Sequence, residues 1–207
     1  MFDIIKPEEI EKRSFEIIKK ELKVSIPKEN EAVVLRVIHA TADFDYAENL
    51  YFTVNAASAA ADALKKGVSI VTDTNMAKAG INKKSLAALG GTVHCFMADE
   101  DVAAEAKRRG ITRAAVSVEK AAALGKPLIF AFGNAPTALI KLHELVTLGK
   151  IKPEFIIAAP VGFVNVEESK ELIRSLGLPC IIARGRKGGS GVAAAICNAL
   201  IYMACRR

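Results

Sequence analysis

The 207-residue chain has no tryptophan, three histidines and an aromatic content of only 6%. Its four cysteines (Cys95, Cys180, Cys197 and Cys205) form no Cys-x-x-Cys pair, and no histidine–cysteine cluster has metal-ligand spacing. These absences exclude a structural zinc site or a disulfide framework as the organising element. Each cysteine is expected to be a buried free thiol in its apolar run. Long apolar runs are missing too, since residues 192–205 (VAAAICNALIYMAC) fall short of the ~20 residues of a bilayer span. The opening MFDIIKPEEIEKRS mixes acids and bases too early for a secretory signal, so a soluble cytoplasmic protein without a membrane partner is expected. A dense basic footprint is also lacking. Twenty-nine Lys and Arg against 23 Asp and Glu leave a net charge of +6, which favours an anionic partner other than nucleic acid.

What is present is a core of alanine and small β-branched residues within a hydrophobic content of 51%, in a length that suits one domain. Residues 7–22 open with Pro7-Glu8-Glu9, a proline and acids suited to a first helical turn. Ile10, Ile17 and Ile18 then fall on one face together with Ser14. A second helix is expected over 28–40, where Arg36 and His39 are three apart and therefore neighbours. From residue 54 onward strand-like runs recur at 68–72, 92–96, 127–132, 155–159 and 179–183, separated by alanine-rich or amphipathic helical segments. Gly67, Gly110, Gly125, Gly149 and Gly177 sit where those helices should end. Strands that read as continuous apolar runs belong to a parallel sheet covered on both faces. The expected fold is α/β, three-layer, with a mainly parallel sheet flanked by helices. Residues 1–207 form a single domain, in which an N-terminal helical segment (1–53) carries Ser14, Arg36 and His39 and 54–207 supply the βα repeats.

The polar and glycine-rich stretches gather after the strands, where open α/β sheets bind ligands. GRKGGSG, residues 185–191, opens the last helix, so its N–H groups can hold an anion, with Arg184, Arg186 and Lys187 adding charge. It is neither a Walker A loop nor a dinucleotide fingerprint, because its lysine precedes the glycine pair and no strand follows. A plain surface turn is the alternative. GNAPT leads from strand to helix with Asn134 or Ala135 near the cap, and Gly133 permits close approach of a ligand. A purely structural cap stands beside that reading. Arg113 lies near a helix start, where the dipole does not favour a cation. It either meets an anion or is simply solvated. Lys107-Arg108-Arg109 reads as the solvated end of a helix, and His94 and His143 read as structural. Ser14 is either bonded back to its own helix or turned to a ligand. His39, beside Arg36 and Ser14, is either a satisfied core histidine or a functional one.

Taken together, EKRSFEII, RVIHA, TDTNM, GNAPTAL, PVGFVNVEESK and GRKGGSGVAAAICNAL resemble the precorrin-8X methylmutase family of cobalamin biosynthesis, from Ile10 to Leu200. The resemblance implies an isomerase that moves a methyl group from C-11 to C-12 of precorrin-8X or cobalt-precorrin-8, giving hydrogenobyrinate or cobyrinate. It implies His39 as proton donor and acceptor, Ser14 and Arg36 as substrate contacts, and a homodimer with sites near the subunit interface. The substrate is then an anionic tetrapyrrole, a corrinoid fringed by carboxylates. Arg36, Arg113, Arg186, Asn134, Thr137, Gly188, Gly189 and Ser190 are its expected partners. Each charged hydrogen bond among them is worth ~1.5–3 kcal/mol. Such a shift within one molecule needs no cofactor and no metal held by the protein. His39 is expected to become a competent acid chiefly when the polyanion offsets the charge of Arg36. Two other readings stay open: an α/β enzyme holding a nucleotide phosphate in GRKGGSG, and a non-catalytic tetrapyrrole carrier.

Overall fold

The computed structural model describes residues 6–205. Helices α1 (Pro7–Glu21), α2 (Glu31–Thr41) and α3 (Tyr46–Asn49) lead into strand β1 (Leu50–Phe52) and helix α4 (Ala56–Lys65). Then come β2 (Ser69–Thr72), α5 (Asn75–Gly80), α6 (Lys83–Ala88), β3 (Val93–His94), α7 (Glu100–Arg109) and α8 (Arg113–Ala122). The chain closes with β4 (Leu128–Phe132), α9 (Pro136–Thr147), β5 (Phe155–Ala158), α10 (Val166–Ser175), β6 (Cys180–Ala183) and α11 (Ser190–Cys205). The sheet runs β1-β6-β5-β4-β2-β3, all parallel except β1. The three layers and the parallel sheet agree with the sequence-based expectation.

Both faces of the sheet are covered because successive side chains alternate sides. Ile129 and Ala131 of β4 join Ile157 and Ile181 in one core, against α2, α4 and α11. Leu128, Phe130 and Phe132 point the other way, into a second core built with Val118, Leu139, Leu142 and Ile173 of α8, α9 and α10. That is why β4 is apolar at every position. Helix α11 is buried along most of its length, between the sheet and the α2 and α4 helices. Among the described residues no helix is long and apolar enough to cross a membrane.

Four details differ from expectation. Residues 50–52, expected within a helical segment, form the antiparallel edge strand, with Leu50 opposite Ala183 and Phe52 opposite Ile181. A strand of three residues carries too short a period to be read in sequence. The strand expected at 92–96 is only Val93–His94, because this sheet edge has β2 as its one neighbour. Ile10 and Ile17 are 49% and 44% exposed, and of the expected apolar face only Ile18 is buried. Helix α1 packs chiefly on α2, which leaves Ile10 and Ile17 uncovered among the described residues. Cys95, Cys180 and Cys197 are buried free thiols as expected, but Cys205, in the last turn of α11, is exposed. The five glycines expected at helix ends all take positive φ.

Candidate active site

Strand β3 pairs with one edge of β2 and β4 with its other edge, so the order in which strands are added reverses between the parallel neighbours β2 and β4. A crevice opens at such a point, beyond the strand carboxyl ends. Asp73 follows β2 directly at this point and is 2% exposed. One carboxylate oxygen accepts the Gly133 N–H at 2.9 Å, and the other accepts Asn134 at 2.8 Å and Ala135 at 2.6 Å. Burial pushes the Asp73 carboxyl up in pKa, and the three N–H donors oppose that push. The first turn after β4 is therefore satisfied from within. Gly133 serves backbone packing here: an added Cβ would lie 2.6 Å from the Gly189 carbonyl oxygen and 2.8 Å from the Ser190 Cα. The expected close approach of a ligand at Gly133 is an approach of the neighbouring loop. Asn134 is exposed at the mouth.

The GRKGGSG loop is built by its neighbours. Lys170 of α10, only 1% exposed, donates to the carbonyls of Gly185 at 2.7 Å and Lys187 at 2.9 Å. Desolvation lowers its pKa to about 8. The Gly189 N–H donates to Ala159 O at 2.8 Å, and the Ser190 and Thr74 hydroxyls meet at 2.7 Å. A Cβ on Gly188 would collide with the carbonyls of Ala159 and Pro160. Outside this frame, Arg186 reaches Glu167 at 3.1 Å and lies over the Phe163 ring, which is 83% exposed. Thr137 accepts from Thr112 at 2.9 Å, and Thr112 caps α8, so Arg113 stands at that helix start beside the GNAPT turn. The arginine is exposed, in agreement with its expected place.

Ser14, Arg36 and His39 form a second group around Phe15. The His39 ring meets Phe15 edge-on with centroids 5.6 Å apart, and the Arg36 guanidinium lies 5.4 Å from Phe15 and 4.7 Å from Tyr202. Ser14 donates back to Ile10 O at 2.9 Å. Arg36 also pairs with Glu11 at 2.7 Å, so its charge is already offset in the empty protein. The expectation for His39 took Arg36 as unpaired, and the ion pair with Glu11 is a partner the sequence did not suggest. His39 is exposed, and neither ring nitrogen makes a hydrogen bond within the described chain. A cleft of about 310 Å³ runs beneath Arg36, lined by Phe15, Leu35, Ala199 and Tyr202 among others. A wider cleft of about 850 Å³ is lined by Glu21, Asp45 and Glu48 with a single cation, Lys23, and so suits a polycarboxylate poorly.

Among the described residues no hydrogen bond joins the Phe15 group directly to the strand-end loops. The link is Lys187, whose ammonium holds Asp43 at 2.7 Å and Asp45 at 2.6 Å, just beyond the end of α2. The two carboxylates raise the pKa of Lys187, and the ammonium lowers that of Asp43.

The chain that carries these residues is similar to known proteins along nearly its whole length. A family model described as precorrin-8X methylmutase matches residues 9–203. The chain belongs to the precorrin-8X methylmutase family. Methylmutases are isomerases of cobalamin biosynthesis, and this chain is an enzyme of that kind. It is 43% identical to the cobalt-precorrin-8 methylmutase of Salmonella typhimurium, with 98% of each chain covered. It is 39% identical to the precorrin-8X methylmutase of Pseudomonas aeruginosa, over 97% of this chain and 98% of the other. The crystal structure of precorrin-8X methylmutase from Thermus thermophilus superposes with a TM-score of 0.87 at 36% identity, covering 95% of this chain and 97% of that one.

Within this methylmutase fold, four residues hold the loops of the candidate site together without a role legible in the sequence: Asp73, Lys170, Asp43 and Asp45. A carboxylate directly after an apolar strand was the available signal for Asp73. Lys170 gave none, since a lysine in an amphipathic helix reads as solvated until its burial is seen. Among the described residues no group of three or more His, Cys, Asp or Glu is placed to hold a metal ion.

Proposed function

We propose that the protein moves the methyl group of precorrin-8X or cobalt-precorrin-8 from C-11 to C-12, with His39 as the acid and base. The methyl group leaves one ring carbon and bonds to another in the same molecule, so the product is an isomer and nothing else is consumed. The chain's tasks are then to hold the conjugated macrocycle and to pass a proton to or from it. Where cobalt is present, it travels as part of the substrate.

The observation that carries this reading is the state of His39. It is an exposed imidazole with free ring nitrogens, set against an apolar ring and one helical turn from a stacked guanidinium. His94 differs, since its Nε2 is engaged with Thr92 at 2.9 Å. The carboxylates of the corrinoid would meet Arg36, Arg113, Arg186 and the loop at Gly188, Gly189 and Ser190, with Ser14, Asn134 and Thr137 at the margins. In that loop the Gly189 N–H itself is taken by Ala159 O. Because the two groups of residues stand apart in one chain, a homodimer that brings them together completes the site. The exposed Ile10 and Ile17 of α1 support that assembly.

The test is turnover of precorrin-8X and binding of hydrogenobyrinate, followed by visible absorbance. His39→Ala should retain the shifted spectrum of bound corrinoid and lose ~10²–10⁴ in turnover, the usual contribution of a positioned acid–base. Full turnover by His39→Ala would remove the histidine from the mechanism. Failure of the wild type to bind, with stabilisation by a nucleotide instead, would remove the methylmutase reaction from this chain.

A further inference from the structure

Lys170 is an ammonium group buried almost completely, yet no carboxylate is hydrogen-bonded to it. Burying such a charge is strongly unfavourable unless its donors are used. Both donors recorded for it go to backbone carbonyls of one loop, Gly185 and Lys187. The carbonyl between them, that of Arg186, accepts from the Gly162 N–H at 3.2 Å. Three successive carbonyls therefore turn inward. In a trans peptide the carbonyl and the following N–H point in opposite directions. The N–H groups of Arg186, Lys187 and Gly188 are thus turned away from Lys170 and Gly162, and none has a partner within the described chain. Arg186 and Lys187 are exposed there, and the Lys187 side chain is drawn off by Asp43 and Asp45. Such outward N–H groups are donors left free for the oxygens of a ligand.

We infer that Lys170 is a positioning residue for substrate binding, which orders residues 185–188 so that the free N–H groups of this loop face the carboxylates of the ligand. This rests on the proposed corrinoid reaction and names the chain's own device for grasping the substrate edge. A packing role alone would not need a cation, because an apolar side chain fills the same space beneath the loop without the cost of desolvation. Glu167, the charged neighbour of Lys170 on its own helix, is occupied by Arg186 at 3.1 Å. The Gly189 N–H already has its acceptor in Ala159 O, which gives an internal control.

Two measurements test the inference. In Lys170→Met, hydrogenobyrinate should bind roughly tenfold or more weakly, the loss expected when a charged hydrogen bond is misplaced. KM should rise with it while kcat per folded enzyme stays near the wild-type value, and Lys170→Gln should recover part of the affinity. An unchanged Kd in a folded Lys170→Met, whatever its Tm, would reduce Lys170 to a structural residue and overturn the inference. The second measurement uses the wild type and is independent of variant folding. On titration with hydrogenobyrinate, the Arg186, Lys187 and Gly188 amide resonances should shift and the Gly189 amide should not. Binding without movement of those three amides would also overturn it. Absence of any binding by the wild type would instead sink the corrinoid reading, and this inference with it.

Discussion

Replacing Asp73 by alanine tests how the crevice is built. In the wild type one buried carboxylate satisfies three successive N–H groups at 2.9, 2.8 and 2.6 Å. Gly133 is buried and Ala135 half-buried, whereas Asn134 is exposed and its N–H can turn to water. Two donors are therefore stranded in Asp73→Ala, at about 1–3 kcal/mol each, and the carboxylate's own charged bonds are lost as well. These terms overlap, so the expected cost is about 3–5 kcal/mol, a large share of the ~5–15 kcal/mol that holds a domain together. Asp73→Asn should cost less, about 2–3 kcal/mol, because its amide oxygen still accepts while its NH2 faces a donor. Urea unfolding followed by circular dichroism reads both values from the midpoint at constant m. A loss below about 1 kcal/mol for the alanine variant would mean that water replaces the carboxylate, and the reasoning would be refuted.

Three further outcomes are expected. Lys170 has its pKa lowered from 10.5 to about 8 in the folded chain, so between these values the unfolded state binds more protons and stability rises with pH. The stability of the wild type relative to Lys170→Met should climb by up to about 3 kcal/mol from pH 8 to 10.5; a flat difference would contradict it. Gly133→Ala places a Cβ 2.6 Å from the Gly189 carbonyl oxygen, where only backbone can give way. It should lose at least about 1–3 kcal/mol in thermal unfolding, and a neutral result would show that the two loops are not in contact. If the proposed homodimer forms through α1, Ile10→Asp combined with Ile17→Asp should convert it to a monomer in sedimentation; a monomeric wild type or an unchanged dimer mass would refute that interface.

The comparison of sequence with structure turns on how far each signal reaches along the chain. The continuous apolar runs of β2, β4, β5 and β6 were legible because burial on both faces removes every polar position from a strand. The helix-end glycines were legible because a left-handed residue disfavours any other side chain. The motifs from RVIHA to GRKGGSG were equally legible, and they led to the family before any fold was seen. The strand at residues 50–52 was not, since its pairing with β6 joins positions about 130 residues apart.

The candidate site divides along the same line. By itself the sequence determined the fold class, the family, and the identity of His39, Ser14, Arg36 and the glycine loops as residues of interest. Those conclusions depend on local period, turn chemistry and the order of motifs. Only the tertiary structure decided that Arg36 is paired with Glu11, that Asp73 holds the GNAPT turn, and that Lys170 holds the GRKGGSG loop. A charge is identified by its residue letter, but its partner and its burial depend on groups that folding brings together from distant parts of the chain.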